Sequence, residues 1–440
     1  MFALAMRSIR QRPGRFAATL LSAFLGAAII MTFNSMHDTA GAQGVDPTSA
    51  ETLSTAAGVV GGYGSLLVFF AVASTLTVNV RQRSSEIDLL RCSGATPAQI
   101  RRMVVGESVA VALAGALLAI GPAMLGGRVL LGLFQDSGQV AESVDHAFGT
   151  VALYSGLAIT LLAAAGAAFL AVRRATRTRT HKLRTRGRTL CIRASMVLGG
   201  LTLCSTFAFS STDAVLMAPA VYGAVLLAVG FALLAPKVLR ALLGRLPATG
   251  PSGYLAVRTM RERAAQLSGV LMPLILFTTM ATATLYMQAV ENDAIDASGV
   301  PKSIDAKNLE TLNLTVVGII VVFACIMLVN SLYAATTYRR REFGQQRLAG
   351  ATPGQVLGMV GIESLVLTAT GVFFGTAAGL AGIIPFTMVR TDSDSVLPDH
   401  GLGIWLGIVA VAGAAVLVTC LVTARRALRT PAVEVVSLAA

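Results

Sequence analysis

Residues 81 to 108 read RQRSSEIDLLRCSGATPAQIRRMVVGES, and residues 337 to 364 read TYRRREFGQQRLAGATPGQVLGMVGIES. The two stretches align without gaps at an offset of 256 and share twelve identical residues. A shorter repeat, L-A-x-R-[ST]-x-R-x-R, begins at Leu4 and again at Leu255, an offset of 251. Internal repetition of this kind indicates an architecture of duplicated units. The sequence therefore predicts two structurally equivalent halves.

The composition places these halves in a membrane. The 440 residues are 55% hydrophobic and 13% charged, with a mean hydropathy of +0.72, whereas about a quarter of the residues in a soluble domain are charged. This excludes a cytosolic enzyme, a disordered tail and a secreted scaffold. Ten apolar segments have about the 20 residues that a membrane-spanning helix requires, namely 16 to 35, 57 to 79, 104 to 134, 150 to 172, 194 to 211, 214 to 236, 266 to 289, 312 to 336, 357 to 388 and 402 to 424.

The distribution of Lys and Arg predicts the orientation. With the N-terminus inside, all but four of the 35 basic residues fall in cytoplasmic segments, and the exceptions are Arg128, Lys302, Lys307 and Arg390. Because basic residues remain on the cytoplasmic side of a membrane, we expect both termini to be cytoplasmic. The net charge of +13 is then a cytoplasmic rim that faces anionic lipid headgroups, and it does not require a nucleic-acid partner.

These observations predict an all-α polytopic membrane protein of about ten transmembrane helices. Residues 1–175 form a first four-helix repeat, residues 176–250 a basic loop and a central two-helix linker, and residues 251–440 a second four-helix repeat. Because an even number of helices separates the two repeats, they have the same orientation and are parallel repeats. We therefore disfavour an ion-coupled secondary transporter of the inverted-repeat type.

The repeated polar element reads as a short helix, a sharp turn and a longer helix. Thr96, Pro97 and Gln99 form a predicted capping box with proline at the first helical position, and Thr352, Pro353 and Gln355 repeat it. Gly94 and Gly350 precede these caps and suit a left-handed turn at the end of a helix.

The short helix before the turn covers roughly residues 83 to 92 and carries apolar residues although it is too short to cross a bilayer. It is either a docking helix that inserts into a groove of a soluble partner or an interfacial helix that lies on the headgroups. The presence of two equivalent copies favours docking.

The pattern R-x-x-E-I-x-x-L-R-x-x-G-A-T-P, which starts at Arg83 directly after a membrane segment, resembles the coupling region of the FtsX-like (MacB-type) permeases of ABC transporters. The resemblance covers both four-helix halves. It implies that each docking helix binds one copy of a separate ABC ATPase subunit, which binds ATP and Mg²⁺, while this chain binds no cofactor. The docking residues so implied are Glu86, Ile87, Leu90, Arg91 and Gly94 in the first copy and Glu342, Phe343, Arg347 and Gly350 in the second.

Two further features shape the expected function. The sequence has no G-x-x-x-x-G-K-[ST] loop, so we expect no ATPase activity in this chain. Because the chain carries two docking copies, we expect one permease chain for every two ATPase chains. The loops at about 36–56 and 290–311 are short, whereas relatives that act across a periplasm or sense peptide antibiotics usually carry a large external domain. Lipoprotein sorting and tripartite efflux therefore fit poorly.

We expect the chain to couple ATP hydrolysis by its partner to the export or extrusion of a hydrophobic or amphipathic substrate, such as a lipid, peptide or antibiotic. The alternative is a signalling module that passes the same motion to a sensor kinase or a cell-wall enzyme without transport. No residue pattern indicates a catalytic or metal site.

The remaining polar residues in the apolar segments have structural explanations. Glu107 and Glu363 occupy equivalent positions about 15 Å into their helices, and we expect each to pair with a nearby Arg. Asn34, Gln288 and Asn330 are expected to form interhelical hydrogen bonds, and the glycines from Gly371 to Gly379 to permit close helix packing.

Overall fold

We describe, from a computed structural model, residues 17–62, 64, 65, 68, 69, 72, 73, 76, 89–176, 181–211, 216–244, 250–263, 267–297, 304–337, 339–391 and 402–431. Within these residues the regular structure is helical, without a β-strand. The helices are α1 (Ala17–Ala40), α2 (Pro47–Ala56), α3 (Pro97–Asp136), α4 (Thr150–Thr176), α5 (His181–Cys204), α6 (Met217–Leu243), α7 (Gly250–Arg263), α8 (Ser268–Ala297), α9 (Ile304–Thr337), α10 (Arg340–Leu348), α11 (Pro353–Thr391) and α12 (Gly403–Leu428).

Nine helices among the described residues are long and apolar enough to cross a membrane: α1, α3, α4, α5, α6, α8, α9, α11 and α12. They correspond to nine of the ten predicted spans. Most of the tenth, 57 to 79, lies outside the described residues, and its described part is helical with Val68, Val72 and Leu76 buried on one face. The chain is therefore an all-α, multi-pass membrane protein, as predicted.

The two halves have the same internal packing. Helix α1 packs along α3 and α4, and α8 packs along α11 and α12 in the same way. Burial repeats as well, because thirteen of the fourteen buried positions in α3 are also buried in α11 at the offset of 256. The repeats inferred from the sequence are thus equivalent in three dimensions.

Close contacts between small residues hold the two helix pairs together. A Cβ added at Gly115 of α3 would lie 2.9 Å from the Leu20 carbonyl of α1, and one added at Gly375 of α11 would collide with Thr278 Oγ1 of α8. Thr278 Oγ1 also donates a hydrogen bond to the Gly371 carbonyl at 3.2 Å. The predicted role of Gly371 and Gly375 in close packing is confirmed, and Gly115, which was not predicted, has the same role.

The central pair, α5 and α6, packs mainly against the second half. Helix α6 contacts both α8 and α11, and the rings of Phe231 and Phe374 are 5.6 Å apart. Its described contact with the first half includes the Tyr222 hydroxyl, which lies against Gly62. The predicted linker is therefore attached to one repeat rather than shared equally between them.

The structure differs from the prediction in the loop at 290–311. Helix α8 continues to Ala297 and α9 already begins at Ile304, so most of this segment is helical. Hydropathy falls at the first charged residues of this segment, but the backbone hydrogen bonds of α8 and α9 continue beyond them. The lengths of apolar runs therefore underestimate the lengths of these helices. Gln288 donates to Asn292 of its own helix at 2.9 Å, so the expected interhelical bond is replaced by an intrahelical one.

The two halves meet where α9 contacts α1. Asn330 Nδ2 donates hydrogen bonds to the Ala18 carbonyl at 3.0 Å and to Ser22 Oγ at 2.7 Å, which confirms the expected interhelical role of Asn330. Asn34 likewise donates to Ser155 at 3.0 Å, between α1 and α4. The Asn330 contact brings the last turns of α9 beside the start of α1, so both copies of the repeated polar element lie at one end of the bundle.

We call this end the docking end, formed by residues 89–97, α7 and α10. The opposite or far end is formed by α2, residues 137–149, Glu291 and Arg390. The domain boundaries at 175 and 250 stay predictions, although α4 ends at Thr176 and α7 begins at Gly250.

Candidate docking site

The turn after each docking helix has the predicted geometry in both copies. Gly94 has a φ of 89° and Gly350 a φ of 98°, the left-handed region that glycine adopts without strain. The amide of Ala95 donates to the Leu90 carbonyl at 2.9 Å, and the amide of Ala351 to the Gln346 carbonyl at 3.0 Å, as in a Schellman motif.

Both capping boxes are also present. The Thr96 amide donates to Gln99 Oε1 at 2.9 Å, and the Gln99 amide donates to Thr96 Oγ1 at 3.3 Å. The bonds between Thr352 and Gln355 have the same two lengths. These reciprocal bonds satisfy backbone donors that would otherwise be unpaired at the starts of α3 and α11, and they set the angle at which each docking helix leaves the bundle.

The second docking helix, α10, is anchored to the bundle by two of its own side chains. Phe343 is only 1% exposed and belongs to the main hydrophobic core. Arg347 donates from Nη1 to the carbonyls of Leu428 at 3.1 Å and Thr430 at 3.0 Å. A cation at these carbonyls also complements the partial negative charge at the C-terminus of α12. Helix α10 is thereby held against both the core and the last membrane helix.

A largely buried ion pair provides a third anchor, immediately before α10. Arg339 donates from Nη1 to Glu363 Oε2 and from Nη2 to Glu363 Oε1 at 3.1 Å, while its Nε donates to Glu342 Oε2 at 3.1 Å. The guanidinium carbon is also 5.1 Å from the ring centroid of Phe343. This confirms the predicted pairing of Glu363 with a nearby Arg.

The environment of Arg339 keeps it charged. Burial lowers the pKa of its guanidinium, but the charges and hydrogen bonds of Glu363 and Glu342 raise it by more, so the pKa of Arg339 is raised above its ordinary value. The group is a permanent cation held by two carboxylates, and a pair of this kind has a fixed distance and a fixed orientation.

The side of α10 that faces away from the bundle forms a stripe. Arg341, Gln345 and Leu348 recur at helical spacing and are all exposed, with Leu348 at 55%. In the first copy, residues 89–92 are helical, and the positions equivalent to Gln345 and Leu348 are Leu89, which is 70% exposed, and the exposed Cys92. We call these two surfaces the second and first outer stripes.

The structure revises the part that several predicted docking residues play. The ring of Phe343 faces the core and offers no surface to a partner, Glu342 binds Arg339, and Arg347 binds backbone carbonyls of its own chain. Leu90 is half-buried against a cluster that contains Ile100 and Val104. Apolar character did not distinguish anchoring from docking, because both uses require a hydrophobic side chain on a short helix.

The remaining predicted residues fall into two groups. Arg91 and Gly94 are exposed at the end of the first docking helix, and Gly350, Thr352 and Pro353 occupy the matching turn after α10. Glu86 and Ile87 lie outside the described residues. That any of these residues contacts an ATPase stays a prediction.

Sequence reasoning did not single out Arg339 as an anchor of α10, or Leu348 and Arg341 as members of the exposed outer stripe. Arg339 could have been found, because Arg339 and Glu363 are both identities of the repeat and we expected the acid to pair with an Arg. Leu348 and Arg341 differ between the two copies, so the repeat gave no signal for them; only the direction in which α10 packs places them outside.

Comparison with known proteins identifies the two repeats independently. A family model described as FtsX-like permease C-terminal matches residues 58–180 and again residues 314–432, together just over half of the chain. Each match contains one copy of the repeated polar element and the two membrane helices that follow it. A comparison with curated proteins found no match.

Proposed function

Because the chain belongs to the FtsX-like permease family, we propose that it is the membrane subunit of an ABC transporter whose ATPase is a separate protein. One observation carries this proposal: α10 and the helical residues 89–92, each with an exposed outer stripe and followed by a capped turn, lie at one end of the bundle. A soluble partner that closes on ATP could grip both.

The proposed partner is an ABC ATPase present in two copies, one for each docking helix. The partner binds ATP and Mg²⁺, since the sequence of this chain has no P-loop. One permease chain therefore serves two ATPase chains. The exposed stripes and the inward anchors support docking over an interfacial position, because an interfacial helix would direct its apolar side toward lipid instead of its own core.

The proposed mechanism is mechanical. Closure of the two ATPase subunits moves the docking helices toward each other, and the two halves, which meet at the contact between α9 and α1, change their relative positions. The rearranged far end then releases a hydrophobic or amphipathic substrate outward. We place the protein in a bacterial plasma membrane with both termini and the docking end in the cytoplasm, which agrees with the distribution of basic residues.

Purification of the tagged chain from its native membrane in mild detergent tests the docking proposal. We expect an ATPase subunit to co-purify with the chain. The amount that co-purifies should fall in Leu89→Asp and in Leu348→Asp, and no ATPase should co-purify with the double variant. Arg261→Asp is the matched control, because Arg261 is exposed on α7 at the same end but lies outside both stripes. The proposal is contradicted if the double variant retains the ATPase to the same extent as the unmodified chain, or if the unmodified chain purifies without any ATPase.

Reconstitution into vesicles separates transport from signalling. A transporter moves a labelled lipid or amphipathic peptide across the vesicle membrane only when ATP is supplied on the ATPase side. Normal ATP hydrolysis without any ATP-dependent movement of these probes favours the signalling module instead.

A further inference from the structure

The three anchors of α10 differ in what they hold. Phe343 contributes apolar packing, which is non-directional, and Arg347 binds the end of α12. Arg339 directly precedes α10, and it joins the start of this helix to α11 because it binds both carboxylate oxygens of Glu363. Its side chain is 20% exposed, and that of Glu363 only 6%.

A buried ion pair is a poor way to gain stability. The desolvation of two charges offsets much of their attraction, and apolar residues of similar volume often stabilise a protein as well or better. What the pair does provide is geometry, since a two-pronged contact between a guanidinium and a carboxylate fixes both the distance and the orientation of the groups. The pair therefore suits a contact that holds the start of α10 at a fixed position relative to α11.

The same two residue types recur in the first half. Arg83 and Glu107 are the identities that match Arg339 and Glu363 at the offset of 256. Glu107 is buried at the equivalent position of α3, whereas Arg83 lies outside the described residues. The recurrence in both copies is an observation independent of the geometry in the second.

From these observations we infer that Arg339 and Glu363 form the joint that passes movement of the second docking helix to α11. Arg339 acts as a positioning residue. This inference rests on the proposed function, because it assumes that an ATPase moves the docking helices.

Helix α11 is suited to carry the movement to the far end. Its 39 residues correspond to about 58 Å at 1.5 Å per residue. It is packed along α8 through Gly371 and Gly375, and near its other end Arg390 binds both carboxylate oxygens of Glu291 at 2.7 Å. A displacement at Glu363 therefore has a continuous, closely packed path to the far end.

Distance measurements between pairs of spin labels test the inference on the complex with the co-purified ATPase. The first pair, at Ser93→Cys and Ala349→Cys, reports the docking end from exposed positions outside both outer stripes. The second pair, at Val129→Cys in α3 and Met388→Cys in α11, reports the far end, where both positions are exposed. The native cysteines are replaced by serine, and each distance is measured by pulsed electron paramagnetic resonance without nucleotide and after trapping with ATP and vanadate.

In the complex with the unmodified ion pair, we expect trapping to change both the docking-end and the far-end distance. With Glu363→Gln or Arg339→Gln, the docking-end change should remain and the far-end change should be lost. Glu342→Gln is the matched control, because it removes the partner of Arg339 that lies on α10 itself and leaves the contact with α11. The exchanged pair, Arg339→Glu with Glu363→Arg, should recover the far-end change.

The possible failures are distinguishable. A full far-end change in Glu363→Gln overturns the inference and leaves the proposed function intact. Trapping that changes neither distance in the unmodified complex contradicts the proposed function, and the inference with it. If Glu363→Gln does not fold, the exchanged pair decides: a docking-end change without a far-end change in that variant overturns the inference.

Discussion

At the scale of single residues, the docking helix α10 separates two uses of a hydrophobic side chain. Phe343 is buried and Leu348 is exposed, although they lie only five positions apart. We expect Phe343→Ala to destabilise the protein by about 3 to 5 kcal/mol, the usual cost of removing a buried aromatic ring. Leu348→Ala should change stability by only about 0.5 kcal/mol but should weaken ATPase binding.

Thermal unfolding in detergent and co-purification, measured on the same two variants, check this prediction. Equal losses of stability would contradict the packing described for α10. If Phe343→Ala alone loses ATPase binding at a temperature where the variant is folded, Phe343 contributes to the docking surface and Leu348 does not.

A second prediction at this scale concerns His146 at the far end. His146 Nε2 lies 3.1 Å from Ser35 Oγ and against Gly127. Burial lowers the pKa of His146, the charge of Arg128 lowers it further, and Asp38 opposes them. Because the folded state binds this proton more weakly than the unfolded state, the contribution of His146 to stability is present above about pH 6.5 and is lost as the pH falls toward the lowered pKa.

The midpoint of thermal unfolding should therefore fall between pH 7.5 and pH 5.5, and the fall should be smaller in His146→Gln, which cannot titrate. Both proteins contain the same other titratable groups, so the difference between them isolates His146. Identical pH dependence in the two proteins would contradict the assigned environment.

How far the docking site could be predicted depended on whether its residues repeat. The caps at Thr96 and Thr352 and the left-handed Gly94 and Gly350 follow from local backbone chemistry, and the structure confirms them. The exposed position of Leu348 depends on which side of α10 meets the core, and that is a tertiary property that no local pattern encodes.

At the scale of helices, the contact between α8 and α11 depends on glycine. We expect Gly375→Ala to lower the midpoint of thermal unfolding, because the added Cβ would collide with Thr278. Gly361→Ala on the same helix is the matched control. A Cβ at Gly361 meets no other atom within 4 Å, and alanine favours the helix by about 1 kcal/mol, so stability should be unchanged or slightly higher. Equal effects at both positions would argue against close packing of α8 and α11.

The two docking helices should bind the ATPase by different forces. The second carries Arg340 and Arg341 where the first carries Ser84 and Ser85, and Gln345 where the first carries Leu89. Salt screens charges but does not weaken apolar contacts. In the Leu89→Asp variant, where binding depends on the second helix, we expect retention of the ATPase to fall as salt rises from 0.1 M to 1 M, when the Debye length shortens from about 10 Å to about 3 Å.

The complementary variant, Arg341→Glu with Arg340→Glu, leaves the first helix as the main contact and should show a weaker dependence on salt. Retention of the ATPase on an affinity resin at each salt concentration gives the comparison. The same salt dependence in both variants would mean that the two stripes bind the ATPase through the same kind of contact, which contradicts the prediction.

At the scale of the whole molecule, repetition and hydropathy predicted most of the fold. Two parallel four-helix repeats and nine of the ten spans agree with the described residues, because membrane helices must be long, apolar and complete in their backbone hydrogen bonds. The attachment of the central pair to the second half could not be predicted, since lipid and neighbouring helices are equally apolar. Arg390, an exception to the charge rule, is explained by its pairing with Glu291 and with the Ser211 carbonyl at 2.7 Å.

The central claim is that one chain presents two docking sites to two ATPase subunits. Native mass spectrometry of the complex purified in mild detergent tests it most directly. We predict a mass equal to one permease chain and two ATPase chains, and one ATPase fewer when Leu89→Asp removes the first stripe. A complex of two permease chains with one ATPase pair, or a permease chain without ATPase, would contradict it.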